Sequence, residues 1–174
     1  MLTIKFLPLL IIALFTVSNS KAQTTSTRIF IVRHADRETF DDLNAAGIVR
    51  ATELKRTLLN TGIDSIFSTK FVRTKKTVTP LVNAIGQQVI LYDSNPQLLK
   101  RILSNSIKKT LLVVGHSNTV PQLIALCGCK PPYDNIPDTQ FDNLFLVIIQ
   151  QEKIKKILVR SCKLLHMKYG AVTN

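Results

Sequence analysis

Along most of the chain, short apolar runs alternate with longer stretches in which apolar residues recur with the period of a helix. The run at residues 29–32 is continuous and mostly β-branched, and residues 111–114 repeat the same construction. Such runs are typical of strands buried on both faces of a sheet. The predicted strands are residues 28–33, 63–68, 88–92, 110–115, 144–149 and 153–159. The polar residues 150–152 predict a hairpin between the last two strands.

Between the strands, apolar residues recur close to the 3.6-residue period of a helix. The first predicted helix opens at Leu43, with Asn44 as its cap, and ends near Gly62. The predicted helices are residues 43–60, 71–85, 96–105 and 120–126, the second of them kinked or restarted at Pro80. This alternation predicts an α/β fold, a three-layer α/β/α sandwich around a mainly parallel sheet.

Residues 1–22 differ from the rest of the chain. Lys5 precedes an apolar run over residues 6–17, and small residues precede the bond after Ala22 as a signal peptidase requires. The pattern predicts a secretory signal cleaved after Ala22, a single catalytic domain over residues 23–174, and a periplasmic or extracellular location. An uncleaved amino-terminal anchor is the alternative, although the run is too short to span a bilayer comfortably.

The charge of the chain is strongly positive, with a formal net value of +12. Cleavage of the first 22 residues would leave +10, because that segment carries two lysines and no acid. A basic balance favours anionic partners such as phosphate esters. The basic residues are scattered, apart from a run near the end that is typical of a solvated edge strand, so no nucleic-acid partner is expected. That run is Lys153, Lys155, Lys156, Arg160 and Lys163.

The three cysteines permit at most one internal disulfide. Cys127 and Cys129 are separated by one residue, and a bridge between them would strain the backbone. A bridge from Cys162 to either of them is left open. The cysteines and the three histidines do not have the spacing of a metal site, so no metal is expected.

Two of the predicted strands end in a histidine. Strand 28–33 runs directly into Arg33 and His34, and strand 110–115 is followed by His116. The carboxyl ends of parallel strands meet at one edge of the sheet, which is where open α/β folds bind ligands. A single histidine at such a position is usually only a strand cap. The repeated construction, with an arginine alongside, instead favours a site that holds two imidazoles.

Arginines near these strand ends indicate the ligand. The planar guanidinium of Arg33 matches phosphate oxygens in pairs. Arg73 lies at the start of the helix after the second strand, where backbone N–H groups also favour an anion. Arg73 could also be an ordinary surface arginine. Together with His34 and His116, the two arginines have the charge to hold a phosphate dianion.

Four short motifs follow one another along residues 28–150. They are Arg33-His34-Ala35, Leu43-Asn44-x-x-Gly47, Ser68-Thr69-x-x-x-Arg73-Thr74-x-x-Thr77 and Gly115-His116-Ser117. In combination they resemble, in order, the blocks of the histidine phosphatase (phosphoglycerate mutase-like) superfamily, in its small branch-1-type members. The resemblance implies that His34 is a nucleophile that becomes phosphorylated. It also implies that Arg33, Arg73 and His116 bind the transferred phosphoryl group, without a metal or other cofactor.

The sequence departs from the family pattern at two places. Ala35 replaces the usual glycine, which is tolerable because either residue keeps the loop slim. Family members that hydrolyse ordinary esters usually present a glutamate after the third strand as the general acid, and here that place holds Tyr92 and Asp93. Asp93 could protonate the leaving oxygen or could be only a turn residue. The rival acids are Asp36, Glu38 and Asp138.

These observations predict a metal-independent phosphatase that hydrolyses small phosphomonoesters through a phosphohistidine at His34. A phosphohistidine phosphatase is an alternative, because its labile substrate needs less help from an acid, although export argues against that role. A catalytically silent anion-binding module is a second alternative. The predicted chain has no stable membrane span and no large insertion over its pocket. The substrate, the pH optimum and the oligomeric state are left open.

Overall fold

The computed structural model describes residues 24–38, 40–93, 100, 106–154 and 157–170. The predicted secretory signal and nearly all of the predicted helix at residues 96–105 lie outside the described residues. Among the residues described, no helix is long and apolar enough to cross a membrane.

Six strands form one sheet in the order β3-β2-β4-β1-β5-β6. The strands are β1 (Thr24–Arg33), β2 (Ser65–Ser68), β3 (Val89–Leu91), β4 (Thr110–Gly115), β5 (Asn143–Ile154) and β6 (Ile157–Lys168). The first four run parallel, and β5 and β6 form an antiparallel hairpin at one edge. The described helices are α1 (Ala45–Leu58), α2 (Val72–Ile85) and α3 (Thr119–Leu126). The predicted mainly parallel α/β sandwich is therefore confirmed.

Both faces of the sheet are buried because alternate residues of each central strand point to opposite sides. On one face, Ile29 and Ile31 of β1 pack in a cluster with Leu123 of α3. On the other face, Phe30 and Val32 belong to a cluster that contains residues of α1 and α2. This double burial explains why residues 29–32 of β1 and 111–114 of β4 are apolar without interruption.

The prediction of a hairpin was correct, but the predicted position of its turn was wrong. The two strands are joined between Ile154 and Ile157, not at residues 150–152, and β6 extends to Lys168. Residues 150–152 are polar, but they lie in β5 with a partner strand on each side, β1 and β6. Hydrogen bonding from two neighbours therefore keeps this polar stretch extended, where the local sequence favours a turn.

Two local predictions have clear outcomes. The Asn44 side chain caps α1 by accepting a hydrogen bond from the Gly47 amide at 2.9 Å. Pro80 lies inside α2, which continues to Ile85 without restarting. The helix then ends at Gly86, whose left-handed backbone (φ 67°) suits glycine.

A disulfide joins Cys129, just after α3, to Cys162 on β6. Of the two pairings that the sequence left open, the structure has this one. Cys127 is a free, buried thiol in the same apolar cluster. The bridge thus ties the segment after α3 to the edge strand of the sheet.

Candidate active site

The ends of β1 and β4 bring two histidines together. The strands are paired in register, with Arg33 opposite Gly115, so that the residues after them, His34 and His116, emerge side by side. Their ring centroids are 5.5 Å apart. A Cβ at Gly115 would lie 2.7 Å from the hydroxyl oxygen of Thr119, which accepts the His116 amide, so a larger residue would disturb this contact. Both imidazoles therefore face one small region at the carboxyl edge of the sheet.

His34 is buried, and its ring is fixed by the backbone of the next residue. Nδ1 lies 2.8 Å from the carbonyl oxygen of Ala35. Because a carbonyl can only accept, Nδ1 carries the proton and the lone pair is on Nε2. Burial, together with the nearby Arg33, Arg73 and His116, lowers the pKa of His34 to about 3. His34 is thus a neutral imidazole at physiological pH, with its nucleophilic nitrogen defined.

His116 is held between a hydroxyl and a guanidinium. Its Nε2 is 3.2 Å from Thr69 Oγ1, and its Nδ1 is 3.4 Å from Arg73 Nη2. The guanidinium can only donate, so Nδ1 accepts and Nε2 carries the proton. Burial and the charges of Arg73 and Arg33 lower the pKa of His116 to about 4.

Arg73 is positioned by a carboxylate. Its Nη1 donates to Asp41 Oδ1 at 2.5 Å, and Asp41 also accepts the Val72 amide at 2.9 Å. Although burial opposes the shift, these bonds lower the pKa of Asp41. The Phe71 ring packs against the guanidinium at 4.3 Å. Arg73 therefore reaches His116 from the first turn of α2 in a fixed orientation.

Arg33 is 4% exposed and is held by the loop before β5. Its Nη1 donates to the carbonyl oxygens of Pro137, Asp138 and Gln140 at 2.9–3.2 Å. The Phe141 ring packs on the guanidinium at 4.1 Å and lies 5.8 Å from the His34 ring. Arg33 is thus fixed beside His34.

Each of the two arginines has one buried donor left over. Within the described part of the chain, Nε of Arg33 and Nε of Arg73 have no hydrogen-bond partner. A buried donor without a partner costs about 1–3 kcal/mol, and most are satisfied in native proteins. The charges of both guanidinium groups also act on the two imidazoles, so the site is cationic and suited to an oxyanion.

The loop after His34 is fastened to α1 and α2. The Ala35 amide donates to Thr77 Oγ1 at 2.9 Å, and Asp36 forms a two-contact ion pair with the buried Arg50. A Cβ on Gly47 would lie 2.0 Å from the Asp36 carbonyl oxygen. Ala35 itself does not adopt a positive φ, so alanine is accommodated where the family pattern has glycine.

The predicted acid and its rivals lie in different places. Asp93 is exposed and lines a groove beside His116 together with Thr69 and Phe71. Asp36 is engaged by Arg50, and Asp138 is 91% exposed and 3.4 Å from Arg33. Glu38 lines a separate polar pocket next to Arg33.

Sequence reasoning missed Asp41, Phe141 and Arg50. Asp41 belongs to a loop with several charges, and its spacing does not indicate that it pairs with Arg73. Phe141 and Arg50 reach the site region only because distant segments fold together. Within the described residues, no three His, Cys, Asp or Glu side chains are grouped as a metal site requires.

Comparison with known proteins supports the fold. Neither a family model nor a curated protein matches the sequence. A phosphoserine phosphatase mutant from Entamoeba histolytica, solved with phosphoserine, matches with 15% identity and a TM-score of 0.51, over 78% of this chain and 95% of that chain. Mycobacterial glucosyl-3-phosphoglycerate phosphatase matches with 12% identity and a TM-score of 0.57, over 71% and 91%. A candidate phosphohistidine phosphatase from Agrobacterium tumefaciens matches with 18% identity and a TM-score of 0.51, over 71% and 91%.

These three solved structures are all phosphatases. With the sheet order described above, they define the class of fold. The chain shares the fold of these phosphatases, the phosphoglycerate mutase-like fold.

Proposed function

We propose that the protein is a histidine phosphatase that hydrolyses small phosphomonoesters through a phosphohistidine intermediate on His34. The observation that carries this proposal is the pair of arginines, Arg33 and Arg73, whose charges act on two neutral imidazoles with ring centroids 5.5 Å apart. A phosphoryl group bound beside the imidazoles would offset this concentrated positive charge.

His34 is the proposed nucleophile. In the first step its Nε2 attacks phosphorus, and the bond to the leaving oxygen breaks. The hydrogen bond from Nδ1 to the Ala35 carbonyl keeps the ring in the tautomer that this attack needs. In the second step water attacks the phosphohistidine, and breaking of the P–N bond releases inorganic phosphate. Arg33, Arg73 and His116 stabilise the charge on the equatorial oxygens in both steps.

Asp93 is the proposed general acid. It would give a proton to the leaving oxygen in the first step, which releases an alcohol, and take a proton from the attacking water in the second. Its place in the wall of the groove beside His116 supports this assignment over Asp36, whose carboxylate is already bound by Arg50.

The leaving group tests the role of Asp93. Asp93→Asn should slow an alkyl phosphate far more than an aryl phosphate with an electron-withdrawing group, because the phenolate leaves unaided. The measurement is kcat/KM for both substrates, with Asp138→Asn as the matched control. Equal slowing of the two substrates by Asp93→Asn would contradict acid catalysis by this residue.

A phosphohistidine phosphatase is the second proposal. The observation in its favour is that Asp93, the proposed acid, is exposed. A labile phosphoramidate would need little protonation by the protein, so its hydrolysis would depend little on this residue. If Asp93→Asn slows neither ester while free phosphohistidine is hydrolysed rapidly, this second function replaces the first.

We also propose that the protein is exported, with cleavage after Ala22. The Cys129–Cys162 disulfide supports this location, because disulfides persist in oxidising compartments. Mass spectrometry of the mature protein should find Gln23 at its amino terminus, whereas an intact Met1 in the cell envelope would indicate the anchor instead.

A further inference from the structure

A groove of about 270 Å³ opens beside the candidate active site. It is lined by Thr69, Lys70, Phe71, Leu91, Tyr92 and Asp93, which come from the loop between β2 and α2 and from the end of β3. The two segments are neighbours because β2 and β3 pair in parallel. The groove is thus built by elements that also position the proposed phosphate site.

The groove is continuous with the surroundings of His116. Thr69, in its wall, lies 3.2 Å from Nε2 of His116 through its hydroxyl oxygen. Phe71, also in its wall, meets the His116 ring edge-on with centroids 5.2 Å apart. A ligand whose phosphoryl group contacts His116 can therefore extend its other end directly into the groove.

The lining of the groove is mostly apolar. Phe71 is 37% exposed and Leu91 is 56% exposed, so both side chains offer apolar surface to a ligand. Tyr92 is buried, and its hydroxyl donates to the Val114 carbonyl oxygen at 2.9 Å, so the tyrosine offers only its ring to the groove. Lys70 and Asp93 supply the charged groups of the lining.

A pocket next to Arg33 has the opposite character. It is lined by Arg33, Arg37, Glu38, Asp138 and Phe141, so four of its five lining side chains are charged. The two pockets therefore differ in chemistry, and of these two the groove near Phe71 is the one with a mostly apolar lining.

We propose that this groove is the subsite for the leaving group, and that the substrates are phosphomonoesters of apolar alkyl or aryl alcohols. The inference rests on the proposed phosphatase function, since the phosphoryl group anchors one end of the ligand. Phe71 and Leu91 bind the apolar part. Asp93, in the same lining, is then close to the ester oxygen that it protonates.

Binding of phosphonates tests the subsite without requiring turnover. Methyl-, propyl- and pentylphosphonate share one anionic head and differ only in apolar length. Each fully buried methylene strengthens binding about fourfold. A groove that is open on one side buries each methylene only in part, so the gain in affinity per methylene is smaller. Calorimetry on the full chain should show that pentylphosphonate binds at least about tenfold more tightly than methylphosphonate.

Two variants of β3 provide the matched comparison. Leu91 lines the groove, whereas its neighbour Ile90 is also exposed but points to the other face of the sheet. Leu91→Asn should reduce the gain from methyl- to pentylphosphonate to about twofold or less, Leu91→Phe should keep it, and Ile90→Asn should leave it as in the wild type. Circular dichroism confirms that each variant is folded.

The outcomes separate this proposal from the function on which it rests. If methylphosphonate binds but longer chains gain nothing, the subsite is wrong and the anion site stands. The same conclusion follows if Ile90→Asn and Leu91→Asn lower the gain equally. If no phosphonate binds at all, both the anion site and the subsite are wrong.

Discussion

At the scale of single residues, His34 has an environment that keeps it neutral. Burial and the adjacent cations lower its pKa to about 3, while a histidine in the unfolded chain titrates near 6.5. A neutral ring with its proton fixed on Nδ1 is the form that can attack phosphorus. The same cations that would stabilise the transferred phosphoryl group thus also keep the proposed nucleophile unprotonated.

This pKa shift predicts how stability depends on pH. Below pH 6.5 the unfolded chain binds a proton at His34 that the folded chain does not bind, so the free energy of unfolding falls as the pH decreases toward about 3. The loss attributable to this residue should be about 1.6 kcal/mol between pH 6.5 and pH 5. Urea denaturation at both pH values should show a smaller loss for His34→Gln than for the wild type. Equal losses would contradict the shift.

At the scale of elements, the loop after β1 is the part that joins the proposed nucleophile to the helices. Its backbone approaches α1 so closely that a Cβ on Gly47 would lie 2.0 Å from the Asp36 carbonyl oxygen. Asp36 is also paired with Arg50 of the same helix. The position of the loop therefore depends on packing against α1 as much as on the strand that it follows.

Gly47→Ala should accordingly move this loop. We expect a loss of about 1–3 kcal/mol in the free energy of unfolding, because the Asp36 backbone has to shift, and a fall in phosphatase kcat/KM. Ala46→Ser, at the exposed neighbouring position, is the control and should change both little. Wild-type stability and activity in Gly47→Ala would mean that the contact is not constraining.

The elements that the sequence predicted well are those with a local signal. Uninterrupted apolar runs located β1 and β4, and the cap at Asn44 located the start of α1. The turn of the hairpin was misplaced because residues 150–152 are polar, and only pairing with β1 and β6 keeps them extended. Histidines at strand ends were visible in the sequence, whereas the contact of Asp41 with Arg73 arises only when a loop and a helix meet.

At the scale of the whole molecule, the disulfide closes a large loop. Cys129 and Cys162 are separated by 33 residues, and their bridge fastens the segment after α3 to the edge of the sheet. Neither cysteine lines the groove beside His116 or the pocket next to Arg33. The bridge therefore contributes to stability and takes no part in the proposed reaction.

Removing the bridge should lower stability without abolishing activity. For a loop of this length the chain-entropy model gives about 4 kcal/mol, and measured values are commonly about 2–4 kcal/mol. Thermal denaturation should show a lower Tm for Cys162→Ala than for the wild type, and a reducing agent should lower the Tm of the wild type alone. A reductant effect of the same size in Cys162→Ala would contradict this assignment.

The covalent intermediate on His34 is the central claim, and trapping it is the most direct measurement. A rapid quench during turnover of an aryl phosphate, at neutral or alkaline pH to preserve phosphohistidine, is followed by peptide mass spectrometry. We expect one phosphoryl group on the peptide that contains His34, none in His34→Gln, and the wild-type result in His166→Gln, where the third histidine is changed. A phosphoryl group on any other residue, or turnover retained in His34→Gln, would contradict the account.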